Sequence, residues 1–414
     1  MKRAVFLALL ALSCGVLRAQ DFTTAEMRSV SMGGTYALAL GRSEALAQQG
    51  EGAAQLDAAE RQLAAAFRPS FDFNASLSKQ QNADTATKGY FSGSYGLFSG
   101  MRDYIAAKAA AAHTGAARLD LERARQQLYL SAAQAYLNLL AAQREIFIRA
   151  DQLAVTARRI AELEARAAIG RSRRSEVVSA RSQLAQDKAE YLASISGERL
   201  AQQALKFITG LSEDLAPSAM PSREAADLRT YRELALKRPD LQARSREAEA
   251  SDYLAEIQER AQWPSVNLSA NYYVVRTPRP DPVNRWDAGA YLNVPLYTGG
   301  ELRGKKDFAY SARRSARLAL DLAQRQALSD VSSAYEEYES SVKQAKSLAD
   351  ALALADENAR LQQEDYALGM VTNLDVLNAL NTAQATRLAL SRAQARNSLA
   401  LIKLENAAGL EAKQ

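Results

Sequence analysis

The sequence predicts a mainly α-helical protein with a membrane β portion, built from a helix–β-hairpin–long helix–helix unit that the chain carries twice. Three observations predict it. The two halves align at one constant offset from Tyr95 to Leu211, with Gly100 on Gly299, Tyr136 on Tyr335, Gly170 on Gly369, Val177 on Val376 and Gly210–Leu211 on Gly409–Leu410. Upstream, a slightly smaller offset sets Pro69–Ser70 on Pro264–Ser265, so one loop of the second copy is longer. Self-similarity at a fixed period marks a repeated structural unit. The second observation is uninterrupted length: no proline occurs from Ser70 to Ala216 or after Pro295. The third is a switch of hydrophobic period from helical to alternating just after Pro69 and Pro264.

The bulk composition agrees. The chain has 414 residues, only 9 of them Pro, and is rich in Ala, Leu, Gln, Arg, Glu and Ser, a mix suited to long helices and coiled coils. Its net charge is +5, and Lys/Arg alternate with Asp/Glu instead of running in blocks. That describes a solvated helical surface, and no nucleic-acid partner is expected. No long apolar run follows the N-terminal segment, so no transmembrane helix is expected.

Residues 1–19 read as a secretory signal peptide: Lys2 and Arg3 precede an apolar stretch from Ala4 to Leu12, and small residues follow. Cleavage is expected after Ala19; the alternative is lipidation at Cys14, which stands in a poor lipobox. Cys14 is the only cysteine, so cleavage at Ala19 leaves a chain without a thiol or disulfide.

Residues 20–211 form the first repeat. Its short helix begins near Ser43, an N-cap with Glu44 behind it, and stops at Pro69. The β-hairpin spans about 69–98. Phe71, Phe73, Ala75 and Leu77 alternate with polar residues; after a polar loop, Phe91, Gly93, Tyr95 and Leu97 face one way with Ser92 and Ser94 opposite. A long helix follows at about 101–168, then a turn at Gly170 and a returning helix at about 171–209. Residues 212–226, with Pro217 and Pro221, are the linker. The second repeat, 227–414, has a short helix opened by Pro239, a hairpin at about 264–297, a long helix at about 300–367 and a returning helix at about 370–408.

Each hairpin strand is about ten residues long with one polar and one apolar, aromatic-bearing face, as in a transmembrane β-strand. A hairpin of a soluble sandwich alternates in the same way. Four strands cannot close a barrel, and an open sheet edge is not tolerated in lipid. If these hairpins span a membrane, two chains supply eight strands and three supply twelve. The long helices, about 100 Å each, leave the hairpins no local partner for their apolar faces, which weighs for lipid. Inside the helices an apolar seam keeps a 4-3 rhythm, Val331, Tyr335, Tyr338, Val342, Ala345, Ala349 and Leu352, matched by Ala132, Tyr136, Leu139, Gln143, Ile146, Ala150 and Leu153. A sustained repeat of this kind predicts coiled-coil packing.

With these features the chain resembles the TolC-like outer-membrane efflux protein family from about Thr35 to Leu410. The resemblance rests on the duplication, the Pro-Ser that opens each copy's first strand, Pro295-Leu296-Tyr297-Thr298-Gly299-Gly300 with its weaker copy Leu97-Phe98-Ser99-Gly100, the turn motif Tyr366-x-x-Gly369-x-x-x-x-Leu374-Asp375-Val376-Leu377-Asn378, and the Gly-Leu that ends each returning helix. It implies a homotrimer: a twelve-stranded β-barrel in outer-membrane lipid, continued by a twelve-helix α-barrel across the periplasm. It also implies a passive exit duct for efflux or type I secretion, docked to a periplasmic adaptor (membrane fusion protein) and an inner-membrane efflux pump or ABC exporter.

In the family the turn region forms the adaptor contact and the gate. This maps docking onto Ile169, Gly170, Arg171 and Ser172 and onto Leu368, Gly369, Met370, Val371 and Thr372. The gate carries two acidic residues three apart on one helix face. Asp375 matches the first, while Asn378 stands at the second, a departure that weakens a ring of like charge. Glu176 and Ser179 hold the same two positions in the first copy. Val371 stands where the family has a latching arginine.

Nothing else in the sequence carries chemistry. His113 is the lone histidine, no His/Cys cluster has metal-ligand spacing, and no phosphate-cradling glycine loop or nucleophile elbow occurs. No metal, cofactor or enzymatic activity is expected. The rival reading of the whole chain is a periplasmic coiled-coil scaffold or adaptor without a membrane barrel, which detergent-independent extraction would reveal.

Overall fold

The structure is a computed structural model describing residues 28–79, 81, 85–218, 224–277 and 284–410. The signal segment with Cys14 and Ala19 lies outside the described residues, as do Pro221 and parts of both hairpin loops.

A short strand β1 (Arg28–Val30) leads into α1 (Met32–Arg42) and α2 (Glu44–Ala64). Ser43 separates the two helices: it ends α1, and its hydroxyl accepts from the Leu46 N–H at 3.2 Å to cap α2. A single 3₁₀ turn, Ala65–Phe67, brings the chain to Pro69, and the hairpin β2 (Ser70–Ser78) and β3 (Ala86–Phe98) follows. Then come α3 (Arg102–Ala168, 67 residues) and α4 (Arg174–Thr209, 36 residues). The connecting segment contains β4 (Leu215–Pro217), which pairs in parallel with β1, and the short α5 (Leu228–Ala235). The stretch read as a plain linker therefore contributes a strand. The second series is α6 (Pro239–Glu259), β5 (Ser265–Thr277), β6 (Trp286–Asn293), α7 (Glu301–Leu368, 68 residues) and α8 (Asn373–Ala407, 35 residues). β6 stops before the expected boundary because Pro295 has no N–H to offer a ladder.

The four hairpin strands form one antiparallel sheet in the order β2-β3-β5-β6. Its register sorts side chains by chemistry. Phe73 sits opposite Phe91, Phe91 opposite Tyr272, and Tyr272 opposite Trp286; the row Phe71, Gly93, Ala270, Ala288 lies on the same face. The other face carries Asp72, Ser92, Asn271 and Asp287 in one row and Ser70, Ser94, Ser269 and Gly289 in the next. The apolar face is bare: Phe71 is 79% and Leu77 74% exposed. Strands β2 and β6 are open edges.

Each long helix starts at two consecutive left-handed residues, Gly100–Met101 before α3 and Gly299–Gly300 before α7. At Gly100 a Cβ would stand 2.8 Å from the Trp263 Cβ, so glycine is required there for packing as well as for its φ of +66°.

In the half of the molecule away from the sheet, the helices lie in the order α4-α3-α8-α7; nearer the sheet α2 and α6 take the places of α4 and α8. The two shorter helices on each side meet end to end. Arg42, at the end of α1, donates to the Gly210 carbonyl at 3.1 Å, and Arg238, before α6, donates to the Ala407 carbonyl at 3.1 Å. Around these junctions sits the largest core, with Tyr129, Tyr136, Leu139, Leu205, Leu215 and Ile402. A second cluster joins Tyr231 and Val331 to Leu404, and a third lies at the far helical tips.

The expected seam is buried over Ala132, Tyr136, Leu139 and Val331, but Val342, Ala349 and Ala150 are exposed. Past Leu140 the buried positions of α3 become Ile148, Gln152, Thr156, Arg159, Ile160 and Leu163. α3 packs against α4 on one side and α8 on the other, so a single 3.5-residue stripe does not describe it.

Candidate functional site: the paired helical tips

Both tips turn by the same chemistry. Gly369 has φ +77°, and the N–H of Met370 reaches back to the Asp365 carbonyl at 2.9 Å. Gly170 has φ +74°, and the N–H of Arg171 reaches the Arg166 carbonyl at 2.9 Å. A left-handed glycine followed by this backward bond closes the orphan carbonyls of the last helical turn.

The returning helices begin differently. At α8, Thr372 and Asp375 form a capping box: the Asp375 carboxylate accepts from the Thr372 N–H at 2.9 Å and from its hydroxyl at 2.5 Å. The Thr372 hydroxyl bond, then its N–H bond, holds the Asp375 carboxyl below the usual carboxylate range. At α4 the cap position is Arg173, which makes no side-chain cap. Glu176, in the first turn, instead accepts from the Ser172 hydroxyl at 2.7 Å. Asn378 is exposed, and its carbonyl accepts from Thr382.

The two tips face one another across a cleft of about 790 Å³. Arg171, Glu176, Ser179, Leu368, Gly369, Val371 and Thr372 line it, together with Arg166, Arg173, Tyr366 and Leu374. Ile169, Gly170, Ser172, Met370, Asp375 and Asn378 do not. Ile169 (68%), Leu368 (74%) and Met370 (65%) stand out into solvent as apolar knobs.

Beneath the cleft is a packed anchor that the sequence reading missed. The Arg159 guanidinium lies 4.1 Å from the Tyr366 ring centre and Arg166 lies 4.8 Å from it. Arg159 Nε donates to Asn373 Oδ1 at 3.0 Å, and Nη1 pairs with Glu162 at 2.8 Å. Val177, Val376 and Leu377 close the core around Tyr366. The buried Arg159 contact contributes about 2 kcal/mol, and that of the partly exposed Arg166 less. The available signal was a polar run, Gln152, Thr156 and Arg159, at helical spacing on the face that ends in Leu163.

Among the described residues, no group of three or more His, Cys, Asp or Glu is arranged to hold a metal ion, and no helix is long and apolar enough to cross a membrane.

Comparison with known proteins bears on this arrangement. Residues 230–410 match the family described as "Outer membrane efflux protein". The outer membrane efflux protein BepC of Brucella suis biovar 1 is 25% identical over 262 residues, covering 62% of this chain and 58% of BepC. The chain thus aligns with somewhat more than half the length of that relative. Among solved structures, CusC superposes with a TM-score of 0.83 at 18% identity, covering 92% of each chain. The Vibrio cholerae outer membrane protein VceC superposes with a TM-score of 0.82 at 22% identity, covering 92% of this chain and 97% of VceC. These likenesses show a shared fold.

Proposed function

We infer, from the match of residues 230–410 to the outer membrane efflux protein family, that this chain is one third of a trimeric passive exit duct in the outer membrane. The observation that carries the reading is the four-stranded sheet. It has one apolar and one polar face and two open edges, and it runs directly into helices of about 100 Å. Lipid tolerates such a sheet only if its edges are closed, and among the described residues the remaining strands, β1 and β4, pair with each other. Three chains give twelve strands with the Phe71–Phe73 face toward lipid and the Asp72–Asn271 face toward water. The helical walls continue the tube into the periplasm.

On this reading the tips are the docking end. Ile169, Gly170, Arg171 and Ser172, with Leu368, Gly369, Met370, Val371 and Thr372, meet a periplasmic adaptor that links the duct to an inner-membrane pump or ABC exporter. Asp375 and Glu176, with Asn378 and Ser179 one turn on, form the constriction. The capping bonds of Asp375 keep it ionised, so three copies near an axis favour cations.

The test is extraction from outer membranes followed by native mass spectrometry and planar-bilayer recording. A detergent-stable trimer with discrete conductance is expected, and Asp375→Asn lowers its cation preference while Asn378→Asp raises it. A water-soluble monomer without conductance would overturn the duct in favour of a periplasmic scaffold.

A further inference from the structure

The two tips close their turns alike but differ in charge. Arg166, Arg171, Arg173 and Arg174 at the first tip are matched, at the offset that relates the two copies, by Asp365, Met370, Thr372 and Asn373 at the second. The turn does not need the arginines, because the second copy makes it without them. Arg173 and Arg174 also work against the local structure. They stand at the positive end of the 36-residue α4, where a cation is unfavourable. Arg173 occupies the cap position three residues before Glu176, so a threonine there would complete the capping box that Thr372 and Asp375 form at α8. Arg171, Arg173 and Arg174 are all exposed, and among the described residues no carboxylate lies within ion-pair distance of them.

Charge set against helix stability and left without an internal counter-ion suits an external one. Guanidinium groups match carboxylates best, by paired hydrogen bonds. Arg171 and Arg173 line the cleft between the tips, and Leu368, Val371 and Leu374 give the same cleft an apolar wall. On the reading of the tips as the docking end, on which this inference rests, we propose that the α3–α4 tip docks an acidic segment of a periplasmic protein. Carboxylates of that segment pair with Arg171 and Arg173 in the cleft and with Arg174 beside it, and an apolar side chain between them lies on Leu368 and Leu374. An anionic bilayer fits less well. Its phosphates lie in a plane and cannot enter a cleft, and the second tip carries Glu364 and Asp365, of like charge.

The test uses the full protein in phosphatidylcholine nanodiscs and follows the fluorescence anisotropy of a short fluorescein-labelled peptide of glutamate and leucine, with its glutamine counterpart as control. The acidic peptide is expected to bind saturably and more tightly than the control, and to weaken as sodium chloride is raised. The triple variant Arg171→Met, Arg173→Thr, Arg174→Asn takes the residues of the second copy. It should bind the peptide about tenfold more weakly, while its unfolding midpoint holds or rises. Arg171→Gln, outside the helix, should alone weaken binding about threefold, which keeps the proposal testable should the triple variant not fold. The charge-matched variant Arg199→Gln, Arg229→Gln, Lys343→Gln, at exposed sites away from the cleft, should bind as the natural protein does. Equal binding of the two peptides, or equal weakening in the two triple variants, overturns the proposal. So does capture of phosphatidylglycerol vesicles in place of the peptide, which would make the tip a membrane contact. Planar-bilayer recording on the same preparation separates this inference from the duct. A conducting trimer that does not bind the peptide overturns the acidic partner alone, and peptide binding by a protein that does not conduct supports the partner and overturns the duct alone.

Discussion

Arg238 is folded over Gly409: a Cβ at Gly409 would stand 2.8 Å from the arginine's Cγ, and Gly409 itself has φ +78°. The same guanidinium pairs with Asp240 at 2.7 Å and with Asp330 at 3.4 Å, tying the ends of α8 and α6 to the flank of α7. Gly409→Ala is therefore both strained and overpacked. It should cost about 2 kcal/mol, read as a lower unfolding midpoint at fixed scan rate. An unchanged midpoint would remove Gly409 from the junction's design.

The junction also sets an acid limit. Burial alone would raise the Asp240 carboxyl, yet the hydrogen bond and charge of Arg238, with Arg123 behind, hold it below its usual value. A depressed carboxylate adds stability that is complete above its unfolded pKa, about 3.9. That stability is lost as pH falls through the folded value. Asp240→Asn should thus be less stable than the natural protein at neutral pH, with the gap closing below about pH 4. Denaturation midpoints at pH 7, 5 and 3 check this; a gap independent of pH contradicts it.

Met101 adopts φ +64° where the second series has Gly300 at +92°. A side chain in the left-handed region costs about 1 kcal/mol. Met101→Gly should recover part of that cost, raising the thermal midpoint slightly without changing the fold. A drop would mean that Met101 side-chain packing outweighs its backbone strain.

The two faces of the sheet should differ sharply in tolerance. Phe73→Arg sets a charge on the lipid side, where the cost is about 2–4 kcal/mol near mid-bilayer. Ser92→Arg places one on the polar face beside Asp72 and Asn271. Heat-modifiable, membrane-inserted protein should fall only for the first. Equal loss in both variants would mean that the apolar face is not lipid-facing.

Long, strongly periodic features were legible in the sequence. The mainly helical class followed from proline-free length. The opposed faces of the sheet followed from the alternation at Phe71–Phe73 and from the same switch of period after Pro264. Ser43 and the two tip glycines could be read because each performs a local backbone task. The pairing of β1 with β4 was not legible, since three-residue strands such as Leu215–Pro217 carry no period. The seam of α3 was read correctly to Leu139 and then lost, because two neighbours divide its surface and bury Gln152, Thr156 and Arg159. Their burial depends on acceptors supplied from far along the chain: Asp187 for Gln152 and Thr156, and Asn373 for Arg159. The role of Asp375 as a capping residue was local and could have been read from Thr372-x-x-Asp375.

The end-to-end meeting of helices at Arg42–Gly210 and Arg238–Gly409 has a mechanical consequence. α3 and α7 are unbroken beams, whereas the members beside them are jointed, with no helical backbone crossing the joint and an arginine as tie rod. A load applied at the tips reaches the sheet end through continuous backbone only along α3 and α7; in the shorter members it must cross the side-chain bonds and packed core at the joints.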